Sequence, residues 1–227
     1  ALAKGEDATQ AREDLWARVA ARVEGPELCA ARVEQGFVAL DRGEPETAAK
    51  LAELARELGP EDADVAELSF FVGEAYFAAG SDEQAVALYA AATRHGRPEV
   101  VERALYKAGF AELRRGDNAA AAARFASVVE RFPAGVLFPE SLYLTGEARF
   151  RDGAFEDAAP WLRRMTSEFK AHESRPKALF RLGVCEVELG RNEQASVALA
   201  ELVAKHPDFP NLVEAELWRG RALRSTG

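Results

Sequence analysis

Apolar residues recur at three- and four-residue spacing through almost the whole chain, and glycines interrupt them at regular places. Between Val101 and Pro133, Leu105, Ala108 and Leu113 mark one helical stripe. Gly116-Asp117-Asn118 then breaks it. Ala121, Phe125, Val128 and Val129 resume the stripe until Pro133. Such a stretch reads as a helix, a glycine stop and a second helix. The same alternation predicts a set of first helices over 27–41, 63–79, 98–115, 138–152, 174–189 and 210–225. It predicts second helices over 7–23, 45–58, 82–95, 117–131, 155–169 and 192–205.

The alternation is a repeat. Gly36, Gly73, Gly109, Gly146, Gly183 and Gly220 stand 36 or 37 residues apart, and each is followed seven residues later by another glycine, from Gly43 to Gly227. Twelve residues after the first glycine comes Ala48, Ala85, Ala121, Ala158 or Ala195. A glycine inside a helix costs about 1 kcal/mol relative to alanine, so its recurrence implies close helix–helix approach, with the recurring alanine as the natural partner. The second glycine suits a helix C-terminus, where a left-handed residue is wanted. Ser81-Asp82-Glu83-Gln84 reads as a capping box, and Asp117 and Asn192 suit N-caps. Pro45, Pro98 and Pro176 sit where a first helical turn tolerates proline, whereas Pro160 falls inside its helix and should bend the first turn.

A helix pair of this kind cannot bury its apolar face alone, and stacking the pairs gives a solenoid. The repeats divide the chain as 27–62, 63–97, 98–136, 137–173 and 174–209, with 1–24 as the remnant of a preceding repeat and 210–227 as the first helix of a sixth, all within one solenoid domain. On this reading Ala1 to Lys4 end a preceding first helix, Gly5 is its stop and Gly227 is the stop of the last. The chain is then a piece of a longer array, with Leu217 and Leu223 uncovered.

Composition narrows the function. The net charge of −9 disfavours nucleic acid and anionic membranes. No apolar run approaches the roughly 20 residues that span a bilayer. Cys29 and Cys185 belong to repeats one and five, too far apart to bridge, and read as small buried apolar residues. There is no phosphate loop, dinucleotide fingerprint, paired-cysteine zinc spacing or nucleophile elbow, so neither enzyme chemistry nor a cofactor is expected. His95, His172 and His206 fall in separate inter-repeat joints.

Leu105, Gly109, Ala121, Phe125 and Pro133 in the third repeat resemble the tetratricopeptide pattern. So do Leu179, Leu182-Gly183, Ala195, Leu199 and Pro207 in the fifth, and Gly73, Tyr76, Ala85, Tyr89 and Ala92 in the second. Arg32, Ser69 and Glu216 depart from it at the aliphatic position. The resemblance implies an all-α, right-handed superhelical solenoid of antiparallel helix pairs that binds a protein or peptide in its concave face. The joints Phe132-Pro133 to Phe138-Pro139 and His206-Pro207 to Phe209-Pro210 resemble those of bacterial cell-envelope repeat proteins, of the Tol–Pal-associated and barrel-assembly types. That points to a periplasmic or envelope scaffold. A cytoplasmic regulatory module, or the repeat domain of a larger protein whose activity lies outside this sequence, are the alternatives.

In the tetratricopeptide family, ligand contacts come from first-helix positions three before the first glycine and one and four after it. Here the first set is Val33, Phe70, Tyr106, Tyr143, Phe180 and Leu217, and the last is Leu40, Phe77, Leu113, Phe150, Val187 and Arg224. The two sets lie seven apart on one helical face. The candidate partner groove is therefore Phe37, Phe70, Phe77, Tyr106, Phe110, Arg114, Tyr143, Phe150, Arg151 and Phe180. These rings pack as core between adjacent first helices, or line an open groove, or do both with their edges exposed. Arg103, Lys107, Arg114, Arg151, Lys177 and Arg181 punctuate the same face, either as binding cations or as solvated charges with i,i+4 partners. Lys177 and Arg181 match two positions of the family's carboxylate clamp. Tyr143, Glu147, Tyr106 and Phe110 fill the others, which excludes that clamp.

Overall fold

The computed structural model describes residues 2–224, with side chains from residue 7 onward. Twelve α-helices and no strand occur among the described residues. They form two compact units, Ala1–Arg115 and Gly116–Gly227. The first holds α1 (Leu2–Ala20), α2 (Gly25–Asp41), α3 (Pro45–Leu58), α4 (Ala63–Ala78), α5 (Asp82–His95) and α6 (Pro98–Arg114). The second holds α7 (Asn118–Arg131), α8 (Phe138–Arg151), α9 (Phe155–Glu168), α10 (Arg175–Glu188), α11 (Asn192–Lys205) and α12 (Leu212–Arg224). Even-numbered helices are the first helices of the repeats and odd-numbered ones the second. In each unit consecutive helices pack on one another, and even-numbered neighbours such as α2 and α4 or α8 and α10 also touch.

Helix ends lie within two residues of those predicted, except for α1. That helix runs through Gly5, where a stop was expected, and ends at Ala20 rather than at residue 23. A glycine weakens a helix by about 1 kcal/mol but does not forbid it. The expectation for Gly227 lies outside the described residues.

The stops at the other ends do need glycine. Gly80 has φ 79° and Gly190 φ 71°. At Gly80 the backbone N–H bonds back to Phe77 and that of Ser81 to Tyr76, which satisfies carbonyls that the helix leaves open. Two caps differ from expectation. Ser81 makes no side-chain cap bond, and Arg191 rather than Asn192 occupies the N-cap of α11. Asp117 does cap α7, accepting from the Ala120 N–H at 2.9 Å. Pro160 lies within α9, which continues through it to Glu168.

The internal glycines mark tight contacts, but with a different partner. A Cβ on Gly146 would lie 2.6 Å from Leu162, and one on Gly183 only 2.4 Å from Leu199. On Gly73 it would meet Tyr89 at 2.9 Å. The knob in each notch is thus the residue sixteen after the glycine, four after the alanine. The alanine is fully buried beside it, because any larger side chain there would hold the helices apart. In the first repeat that sixteenth residue is only Ala52, and Leu68 of α4 fills the space at Gly36 instead. Around these contacts the core is apolar. Phe70, Ala85, Tyr89, Ala92, Ala104 and Ala108 form one cluster in the first unit, and Phe125, Leu142, Leu162, Met165, Leu199 and Leu202 are fully buried in the second.

Cys29 and Cys185 are buried and unpaired. The Cys29 thiol donates to the Ala55 carbonyl at 3.3 Å. At the last helix, Leu217 is 65% exposed and Leu223 51%. None of the described helices is long and apolar enough to cross a membrane.

Candidate functional site

A concavity of about 700 Å³ lies in the second unit. Tyr143, Glu147 and Arg151 of α8 form one wall, and Pro176, Lys177, Phe180 and Arg181 of α10 the next. The joint from Lys205 to Asn211, with Glu214 of α12, closes the third side. The floor is aromatic: the Phe180 and Phe209 rings pack at 5.7 Å between centroids, and Tyr143 lies against the same space. His206, in the joint after α11, lines this wall with its Nε2 buried.

An ion-pair network fixes the wall between α8 and α10. Glu147 is 3% exposed. It accepts from Arg181 Nε at 2.7 Å, Arg181 Nη2 at 3.2 Å and Arg151 Nε at 2.9 Å. Burial alone would raise the Glu147 carboxyl, but the Arg181 and Arg151 guanidinium groups outweigh it and hold the carboxyl below its ordinary value. Arg181 also lies over Phe150, 4.5 Å from the ring centroid, and near Phe180 at 5.6 Å. Burial, and then the Glu147 charge, push the Tyr143 phenol up, so Tyr143 stays neutral.

The first unit repeats this arrangement two repeats earlier in the chain. Glu74 of α4 accepts from Lys107 Nζ of α6 at 2.7 Å and from the Tyr89 hydroxyl. Phe77 lies beneath Arg114 at 4.1 Å and Lys107 at 5.7 Å. Arg114 is pinned by Asp82 at 3.0 Å and by the Phe77 carbonyl at 3.0 Å. In both units the pattern is a glutamate one after the first glycine, a phenylalanine four after it, and a cation two before the next first glycine.

The candidate aromatics therefore separate by position. Phe70 is fully buried, Phe180 5% exposed and Tyr143 9%. Phe70 packs against Tyr89 and carries Arg103 over its face, which makes it core and corrects its assignment to the groove. Three before the glycine, Val33, Phe70, Tyr143 and Phe180 are buried, whereas Tyr106 at the same position is not. Phe37, Phe77, Tyr106, Phe110 and Phe150 stay half-buried. Phe37 meets Phe71 edge-on at 5.9 Å, and Tyr106 meets Phe110 at 5.0 Å. Arg114 and Arg151 are exposed at the rims. The expected i,i+4 pairing of the cations holds for Arg151 with Glu147, whereas Lys107 and Arg181 reach across to the preceding first helix. From the sequence alone, Glu74 carries no expectation and Glu147 counts only as a residue that breaks the clamp. The signal was available: the position after the first glycine alternates Phe37, Glu74, Phe110, Glu147.

The sequence matches the tetratricopeptide repeat family model over residues 33–99, 106–176 and 177–208, more than half of the chain. The chain belongs to the tetratricopeptide repeat family. Among solved structures it is similar to YrrB, described as a tetratricopeptide protein with an unusual peptide-binding site, at 18% identity and a TM-score of 0.60, covering 82% of this chain and 90% of YrrB. It is also similar to MamA from Desulfovibrio magneticus RS-1, at 19% identity and a TM-score of 0.54, covering 80% and 97%. A third is BtubC from P. vanneervenii, at 13% identity and a TM-score of 0.54, covering 90% of each chain. At these identities the likeness is one of fold. No curated protein matches the sequence. The helix pairs described above are tetratricopeptide repeats, two to three residues longer than usual, with the additions in the proline-bearing joints.

Proposed function

We propose that this tetratricopeptide chain is a non-enzymatic scaffold that holds an extended or helical peptide in the concavity between α8, α10 and the α11–α12 joint. The observation that carries the proposal is Arg181. It is held by a buried glutamate and lies over two aromatic rings, so a ligand meets a rigid apolar floor with oriented donors at its edge. Preorganised walls lower the ordering cost of binding. The peptide-binding site named for YrrB supports the same class of ligand. The setting proposed is a bacterial cell-envelope assembly, on the strength of the Phe-Pro and His-Pro joints.

Selection from a library of random linear peptides on the folded chain tests the reading. Enriched peptides should lose binding to Phe209→Ala, altered in the floor of the concavity, and to Lys177→Glu, altered in its wall, while the fold is retained. Enrichment insensitive to both changes would overturn the site. Cell fractionation tests the setting: recovery in the cytoplasm would remove the envelope assignment and leave the peptide groove standing.

A further inference from the structure

We infer that the second unit carries another docking site, a groove between α9 and α11 that takes a basic, amphipathic peptide segment. Its walls are consecutive second helices, and α10 is the floor between them. On α10, Lys177, Phe180 and Arg181 face the concavity described above, whereas Leu179, Leu182 and Glu186 line the groove. At roughly 100° per residue the two sets fall on opposite sides of the helix. The groove measures about 390 Å³, at the small end of the roughly 300–1,000 Å³ of ligand sites.

The floor is apolar. Leu179 and Leu182 of α10 and Ala198 of α11 are buried there, and Val197 beside them is 70% exposed. In the other repeats the same place, two after the alanine, holds Lys50, Ala87, Ala123 and Pro160, all exposed. The fold therefore asks for no apolar side chain at this point. Valine is also a poorer helix former than lysine or alanine. What Val197 adds is apolar area turned to a ligand.

The polar chemistry comes from Glu186, one turn beyond Leu182 and 1% exposed. The repeat requires no acid here: Ala39, Tyr76 and Arg149 hold the same place, three after the first glycine, in repeats one, two and four. Oε1 accepts from Arg163 Nη2 of α9. Among the described residues Oε2 accepts no hydrogen bond, and Arg191 Nη1 stands 3.6 Å away, beyond hydrogen-bonding reach. A buried carboxylate oxygen without a donor leaves free energy that an added donor recovers. Arg163 lines the groove with its side chain 51% exposed, so it can swing outward and admit a ligand cation to the carboxylate.

Charge decides the occupant. The lining holds Glu186, Glu193 and Glu201 against Arg163. Glu201 is already shared by Arg175 and Lys205. Glu193 is exposed and pairs with no cation among the described residues. An apolar floor, a buried carboxylate with an oxygen to spare and a free carboxylate on the rim match a segment with leucine-like side chains on one face and lysine or arginine beside them. The net charge of −9 favours encounter with such a partner.

Fluorescence anisotropy at physiological salt, with a short labelled peptide of Leu and Lys at helical spacing, tests this. Binding should saturate, and the same peptide with Glu in place of Lys should not bind. Val197→Gln, Glu193→Lys and Glu186→Gln should each weaken binding by roughly ten-fold or more. Val197 and Glu193 are exposed, so circular dichroism and Tm should show those two variants folded, and they carry the test if Glu186→Gln does not fold. Glu57→Lys on α3 makes the same charge change far along the chain and should leave binding within about two-fold, as should Phe209→Ala in the other concavity. Absence of saturable binding would overturn the proposal. So would equal weakening by Glu57→Lys and Glu193→Lys, which would mean general attraction to an acidic chain. Binding lost in Phe209→Ala but kept in Val197→Gln would place the peptide in the concavity instead.

Discussion

Arg181 donates from two nitrogens to the carboxylate of Glu147, at 2.7 and 3.2 Å, and so ties α10 to α8 beside the concavity. Glu147 is buried while Arg181 and Arg151 keep contact with water. Removing the carboxylate therefore leaves two guanidinium groups that can be rehydrated. The loss should be about 2 kcal/mol, in the range of charged hydrogen bonds rather than that of a fully buried ion pair. Thermal unfolding of Glu147→Gln measures it.

The same pair sets a pH dependence. The folded-state pKa of Glu147 lies below its ordinary value of 4.5. Its contribution is therefore complete above that value and is lost as pH falls through the folded pKa. The difference in Tm between the parent chain and Glu147→Gln should be constant near neutral pH and shrink in the acid window below 4.5. A difference that stays level across that window would show that the carboxylate is not held by the two arginines.

Equivalent glycines should respond oppositely to one methyl group. Gly183→Ala drives a Cβ to within 2.4 Å of Leu199 and should cost about 1–2 kcal/mol net of the helix propensity gained. Gly220→Ala meets open space and should stabilise α12 by up to about 1 kcal/mol. Denaturant titration of both variants distinguishes a packing notch from a mere weak point in a helix.

Aromatic truncations should rank by burial. Phe125→Ala, at a fully buried second-helix position, should cost about 3–5 kcal/mol, and Tyr143→Ala nearly as much. Phe150→Ala should cost less, about 1–2 kcal/mol, because its half-buried ring loses the Arg181 contact and the edge-on packing on Phe155. Unfolding curves of the three variants give the order directly. A Phe150→Ala loss equal to that of Phe125→Ala would place Phe150 in the core.

Both thiols should be silent in the folded chain. Burial pushes the Cys185 thiol up to about 12 and raises that of Cys29 as well, so neither forms thiolate near neutrality. Titration without reductant should find almost no reaction in the native protein and two groups per chain after denaturation.

The helix pairs were legible because glycine and alanine carry backbone geometry in their identity. Gly80 must sit at positive φ and Ala85 must be small, whatever surrounds them. What packs on what was less legible. Ala158 was the expected partner of Gly146, yet Leu162 fills that notch, since a knob needs length and an alanine only grants approach. Phe70 and Phe77 look alike in the sequence, but Phe70 is fully buried against Tyr89, whereas Phe77, beneath Arg114, stays half-buried. Glu74 and Glu147 were hidden for another reason. Their cross-helix partners, Lys107 and Arg181, lie 33 and 34 residues on, a distance no local pairing rule connects.

Each glycine stop closes its turn with bonds to its own helix, as Gly80 and Ser81 do with Phe77 and Tyr76. The join between one helix and the next is therefore specified locally and asks nothing of its neighbours in sequence. A block cut from one such glycine to its equivalent, 36 or 37 residues on, carries its own stop and alanine, so repeats can be added or removed at these joins once the cross-repeat pairs are matched. Length is then an adjustable dimension of the molecule, and the number of binding walls can be set by counting blocks.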